Sequence, residues 1–152
     1  MATKQKTDLT LTLKNIKQHP DMSDETNCFS ASTYVNGKRA GTVRNSGQGD
    51  PNLYYWKSPE VGHQVEAWAK EQDTRFEFEK LDQIVDKILD KWEETRWLKR
   101  TCKKKILFSL KGDEKGKWRI LTGTWSQKAI DYINNKYGDK VERIANQEVY
   151  PV

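Results

Sequence analysis

Cysteine and histidine are scarce in this sequence, with two residues of each type. Cys28 and Cys102 lie far apart and make no CxxC motif, which excludes a disulfide-rich scaffold and favours a reduced, intracellular protein. His19 and His63 have no metal-ligand spacing to either cysteine. The sequence therefore predicts no metal site and no cofactor.

Long apolar runs are also absent. No window approaches the length of about eighteen apolar residues that a membrane-spanning helix needs. The N-terminal segment MATKQKTD lacks the apolar stretch of a secretory signal. We expect a soluble, cytoplasmic protein with no membrane partner.

Catalytic motifs are missing as well. The sequence contains no GxSxG, no HExxH and no GxxxxGK followed by Ser or Thr. Cys28 falls inside a strand pattern, which predicts a small buried side chain rather than a nucleophile. These absences favour a protein that is not an enzyme, and a small hydrolase or nuclease is the least favoured function.

The composition is that of a folded domain with a very polar surface. Of 152 residues, 35% are apolar and 32% are charged, and sixteen aromatic side chains can fill a core. The length suits a single domain over residues 1–152, with a subdivision near residue 103 as the alternative. The net charge of +5 is concentrated C-terminally, because residues 1–75 hold ten Lys and Arg against nine Asp and Glu.

The first third of the chain reads as antiparallel strands. Alternating leucines predict a strand over residues 8–16, and Asn36-Gly37 is a strong signal for a tight hairpin between residues 28–35 and 38–44. In a two-residue hairpin Thr33 would lie opposite Ala40, and both would face the core. A turn-rich loop over residues 45–52 then leads to a further strand over residues 53–56.

Helical patterns follow. Ser58-Pro59 predicts a helix start, with the helix running to about residue 72, and residues 81–92 carry an apolar stripe at helical spacing. A second hairpin is predicted from residues 106–110 and 117–121, then a helix after Ser126 and a strand over residues 141–144. Strands and helices are segregated, which predicts an α+β fold. We expect a mainly antiparallel sheet with an N-terminal hairpin, two to three helices and a C-terminal hairpin-helix unit.

The densest charge in the chain lies between residues 96 and 105. This segment has six cations and no acid, with Trp97 inside it and Trp92 just before it. Cations beside aromatic faces are typical of proteins that hold phosphate-bearing partners. The six cations are Arg96, Lys99, Arg100, Lys103, Lys104 and Lys105.

A second interpretation of the basic segment is structural. Acids precede it along the predicted helix, so the cations up to Arg100 match the helix dipole. The dipole does not account for Lys103 to Lys105, which continue past the expected helix end into the next strand.

Three further residues join the candidate ligand site. Trp118 and Arg119 lie in the second hairpin, where an aromatic ring and cations alternate along a strand. Arg44 precedes a loop, residues 45–49, whose glycines and amides could cradle a phosphate, although a plain hairpin connection is the favoured interpretation.

The stretch Glu25 to Val43, followed by Asn45 and the loop with Gly47 and Gly49, resembles small uncharacterised proteins of phages and bacterial mobile elements. The resemblance is concentrated in residues 25–49. It rests on turn residues and carries over no functional residue. It implies an accessory protein in the cytoplasm of a bacterial host cell, acting on host defence or nucleic-acid metabolism.

The sequence thus predicts a phage-type binding protein with a phosphate-rich ligand. That ligand is either a nucleotide immune signal, sequestered to counter host defence, or a nucleic acid. The alternative is a protein–protein inhibitor whose basic face docks on a host defence or nucleic-acid enzyme. Assembly into a homo-oligomer is left open by the sequence.

Overall fold

A computed structural model describes residues 8–152 and confirms the α+β fold. The described residues divide into two compact units, residues 8–89 (unit 1) and residues 90–152 (unit 2). The sequence-based alternative placed a subdivision near residue 103. The strands are β1 (Leu11–Gln18), β2 (Phe29–Val35), β3 (Lys38–Asn45), β4 (Leu53–Trp56), β5 (Ile106–Leu110), β6 (Arg119–Leu121) and β7 (Val141–Ile144). The α-helices are α1 (Pro59–Lys70), α2 (Lys80–Thr101), α3 (Gln127–Tyr137) and α4 (Ala145–Val149).

Unit 1 is built on a four-stranded antiparallel sheet with the strand order β1-β2-β3-β4. Asn36 and Gly37 both have positive φ, 51° and 82°, as a type I′ turn requires. Val35 therefore lies opposite Lys38, and the predicted hairpin is confirmed.

The register beyond the turn differs from the prediction. Thr33 pairs with Gly41 rather than with Ala40, because a bulge in β3 makes Ala40 an extra residue. A Cβ atom at position 41 would collide with the carbonyl oxygen of Tyr55 on β4, so the close approach of β4 requires glycine there. Ala40 is nevertheless buried, as expected.

The core of unit 1 lies between one face of this sheet and the helices. Phe29 and Val43 from the sheet pack with Val65 of α1 and with Val85 and Leu89 of α2. The apolar stripe of α2 is the predicted one. α1 begins after Ser58, whose hydroxyl accepts a hydrogen bond from the Val61 amide at 3.3 Å, and it ends at Lys70, slightly before the predicted end.

Unit 2 is a three-stranded antiparallel sheet with the order β6-β5-β7, covered by α3. Ile106 and Phe108 of β5 pack against Ala129 and Ile133 of α3. The predicted strand over residues 141–144 is present as β7. β6 is shorter than predicted and begins at Arg119, and the short helix α4 was not predicted.

A buried hydroxyl in unit 1 leads to a stability prediction. Thr33 is fully buried, and its Oγ1 has no hydrogen-bond partner within residues 8–152. Thr33→Val keeps the shape and removes the unsatisfied group, so we expect the free energy of unfolding to rise by about 1 kcal/mol. Urea denaturation measures the change, and Thr42→Val on the same sheet is the matched control. A loss of stability in Thr33→Val would mean that the hydroxyl is satisfied.

Candidate functional site

The basic segment, residues 96–105, is placed on two structural elements. Arg96, Lys99 and Arg100 lie in the last turns of α2, which ends at Thr101. The chain then turns sharply through residues 102–105, here named the lysine turn, before β5 begins at Ile106. The prediction that the cations run on into the next strand is therefore wrong. They end in the turn, since β5 needs its first positions for buried apolar side chains.

The cationic side chains point to solvent. All six cations of the basic segment are exposed, and the Trp97 side chain is 42% exposed. The guanidinium carbon of Arg96 lies 4.7 Å from the centre of the half-buried Trp92 ring. Within residues 8–152, no carboxylate forms an ion pair with the three lysines of the turn.

One buried amide fixes the backbone of the lysine turn. Asn146, at the start of α4, is completely buried. Its Oδ1 accepts a hydrogen bond from the Leu107 amide at 2.9 Å, and its Nδ2 donates to the carbonyls of Cys102 at 3.2 Å and Lys105 at 2.9 Å. The amide therefore binds both ends of the turn and leaves the lysine side chains directed outward.

The C-terminal segment supports the same helix end. The Tyr150 hydroxyl donates to the Lys99 carbonyl at 2.9 Å, and Trp125 Nε1 donates to the Tyr150 carbonyl at 2.7 Å. Beside these contacts lies the buried thiol of Cys102. Burial raises the pKa of the Cys102 thiol, and the carboxylate of Glu148 raises it further. The thiol form is favoured, which suits a packing role rather than a nucleophilic one.

Trp118 also belongs to unit 2, but contacts within that unit cover much of its ring. The half-buried ring packs on a cluster that includes Leu98 and Leu107. The guanidinium of Arg143 lies 4.8 Å from the ring centre, and it is held by Glu148 at 2.7 Å and Glu94 at 3.3 Å. A ligand that stacks on Trp118 would have to displace this arginine or use the opposite side of the ring.

Arg119 is paired as well. Its Nε and Nη2 donate to the two carboxylate oxygens of Asp113 at 2.9 and 3.0 Å. This guanidinium lowers the pKa of Asp113 to about 2, with a further contribution from the Leu110 amide. The predicted role of Trp118 and Arg119 in ligand binding stays a prediction, in which Arg119 would have to exchange a bidentate partner for a phosphate.

Arg44 lies in unit 1, on β3, apart from the basic segment in the chain. Its Nη2 donates to the Tyr55 hydroxyl at 3.0 Å. The following loop is held internally, because Asn45 Oδ1 accepts hydrogen bonds from the Gly47 amide at 2.8 Å and the Thr26 hydroxyl at 2.7 Å. These contacts favour the hairpin-connection interpretation of residues 45–49 over a phosphate cradle.

Sequence reasoning missed Asn146 and Tyr150. α4 has only five residues, too few for a periodic pattern, and its polar positions give no sign that one of them is fully buried. A polar residue forty positions from its partners carries no local signal.

Comparison with protein-family models, curated proteins and solved structures finds no match to this chain. In the part of the chain that the structure describes, no helix has the length and apolar character to cross a bilayer. No group of His, Cys, Asp or Glu within residues 8–152 is arranged to hold a metal ion.

The Asn146 amide yields a prediction. Asn146→Ala would leave two carbonyls of the lysine turn and the Leu107 amide of β5 without these partners, and we expect a loss of about 3 kcal/mol or more in stability. Hydrogen exchange at the Leu107 amide should accelerate accordingly. The matched control is Asn135→Ala, at an exposed position of α3. Equal stability of the two variants would contradict the assigned role.

Proposed function

We propose that this protein is a non-enzymatic binding protein for a phosphate-rich polyanion, nucleic acid above all, which it holds through the basic segment, residues 96–105. The observation that carries the proposal is the lysine turn. Three consecutive exposed lysines are presented from a backbone that a buried amide fixes.

The helix dipole does not explain these lysines. It stabilises cations in the last turn of a helix, which covers Lys99 and Arg100 of α2. The lysine turn follows the helix end. Like charges on adjacent residues repel each other, and such a cluster without carboxylate partners is most readily neutralised by a bound anion.

The exposure of the segment favours an extended polyanion over a small nucleotide. A nucleotide pocket needs cations that converge on an enclosed cavity. Here all six cations are solvent-exposed, which is the arrangement expected when binding energy is spread over many phosphates. A nucleotide signal and an acidic host-protein surface are the other ligands to test. The resemblance of residues 25–49 to phage proteins supports a setting inside an infected bacterial cell.

The first test removes the lysine turn's charge. We expect Lys103→Gln, Lys104→Gln and Lys105→Gln together to leave the melting temperature nearly unchanged, because exposed charges contribute little to stability. Binding of single-stranded nucleic acid should weaken, and the slope of log K against log salt should fall by about 2, since each single-strand contact contributes about 0.7. Fluorescence anisotropy titrations over a range of salt concentrations measure both quantities.

The control is a second triple variant that loses the same charge elsewhere in unit 2. It replaces the exposed residues Lys111, Lys115 and Lys128 by Gln. If both triple variants lose affinity and slope equally, the effect is one of net charge, and the lysine turn is not the site. Preferential binding of mononucleotides or of an acidic protein would move that ligand to first place.

The second test concerns Trp97. Its exposed ring lies beside the cations and would stack on an unpaired base, so Trp97→Ala should weaken single-strand binding by about 1–3 kcal/mol. Binding of inorganic polyphosphate, which has charge but no bases, should not change. Equal losses for the two ligands would show that the substitution acts through the fold, and no loss for either would limit the site to phosphate contacts.

A further inference from the structure

The sheet of unit 1 has a second face, opposite the helices. The buried face carries the core residues that pack on α1 and α2. Because side chains alternate along a strand, the strand partners of Ser30, Ser32 and Thr42 lie on the other face. We name this the outer sheet face, and its large side chains are Lys14, Lys17, Tyr34, Arg39, Arg44, Leu53 and Tyr55.

The outer sheet face carries charge of one sign. Four of the seven large side chains are cations, and none of the strand residues on this face is acidic. Ser30 has Lys17 on one side and Arg44 on the other. The short side chain of Ser30 therefore lies between longer cationic side chains on the two neighbouring strands. Hydroxyls and cations are donors suited to phosphate oxygens.

Aromatic rings and cations meet on this face twice. Lys14 Nζ lies 4.5 Å from the centre of the Tyr34 ring, and the Arg44 guanidinium lies 5.3 Å from that of Tyr55. The Tyr55 side chain is 51% exposed on the edge strand β4. A ring at a sheet surface beside positive charge is the arrangement that stacks an unpaired base and neutralises its phosphate.

The two tyrosine rings lie too far apart to stack on the same base. Tyr55 lies opposite Thr42, Thr42 lies opposite Ser32, and Tyr34 is two residues further along β2. The rings are thus displaced by about 10 Å across the strands and about 7 Å along them. A duplex keeps its bases stacked inside, so only a single strand can present separate bases to both rings.

We propose that the outer sheet face of unit 1 binds single-stranded nucleic acid, with Tyr34 and Tyr55 stacking on bases and the four cations contacting phosphates. This surface shares no residue with the basic segment of unit 2. Each surface can therefore be disproved without affecting the argument for the other.

The experiment uses the full chain and a labelled single strand of about ten nucleotides, within the range of site sizes of such surfaces. Tyr55→Ala should weaken binding about tenfold, while Tyr55→Phe, which keeps the ring, should bind within about twofold of the unaltered protein. The matched control is Tyr132→Ala, an equally exposed tyrosine on α3 of unit 2. To test the contribution of charge, the affinity of the double variant Lys14→Gln, Arg44→Gln is compared with that of the double variant Lys70→Gln, Lys87→Gln. The second pair lies on the helices of unit 1 and removes the same charge.

Binding at the basic segment is separated from binding at the sheet in two ways. The Tyr55→Ala loss should persist when Lys103, Lys104 and Lys105 are already glutamine. Ultraviolet cross-linking followed by mass spectrometry should place cross-links on peptides of β3 and β4. The inference is overturned if Tyr55→Ala binds like the control, if Tyr55→Phe loses as much as Tyr55→Ala, or if cross-links occur only within residues 96–119.

Discussion

The buried side-chain amide of Asn146 is the interaction on which the arrangement of unit 2 depends. It has no net charge, yet it satisfies three main-chain groups at the junction of α2 and β5. Without it, the turn would carry buried unpaired groups, each costing about 1–3 kcal/mol. A turn of three lysines has poor intrinsic order, because like charges repel and long side chains lose entropy when fixed. The Asn146 amide orders the backbone of the turn, while the lysine side chains stay free in solvent and keep their conformational entropy.

Among the described residues of unit 2, Arg119 and Arg143 are paired with carboxylates, whereas the three lysines of the lysine turn are not. Arg119 and Arg143 form bidentate or double contacts with carboxylates, which suits the planar guanidinium, and both stay within the fold. The hydrogen bond from Arg143 to Glu148 raises the pKa of this guanidinium. The lysines of the turn have no such partners within residues 8–152. The contacts in the structure, and not the density of charge in the sequence, therefore distinguish cations that stabilise the fold from cations that are free to contact a ligand.

Sequence reasoning succeeded where local rules decide the structure. Asn36-Gly37 forms the predicted turn because positive φ is a property of those residues themselves. The register at Gly41 could not be predicted, since the bulge depends on the approach of a strand that follows later in the chain. Asn146 could not be found because its partners are remote. For the candidate site, the sequence alone located the basic segment. The ion pair between Arg119 and Asp113 could not be predicted, because it depends on the geometry of the second hairpin.

The two proposed surfaces would obtain most of their affinity from different physical sources. The basic segment offers six exposed cations and one exposed ring, Trp97, so its attraction for phosphates would come mainly from counterion release and fall steeply as salt is added. The outer sheet face joins cations to rings, and base stacking depends weakly on salt. Raising the salt concentration would therefore remove the contribution of the basic segment before that of base stacking on the outer sheet face. Under both proposals, discrimination between a nucleic acid and a plain polyanion would arise from the tyrosines of the sheet and from Trp97, whereas the lysines would determine how quickly and at what ionic strength either ligand is captured.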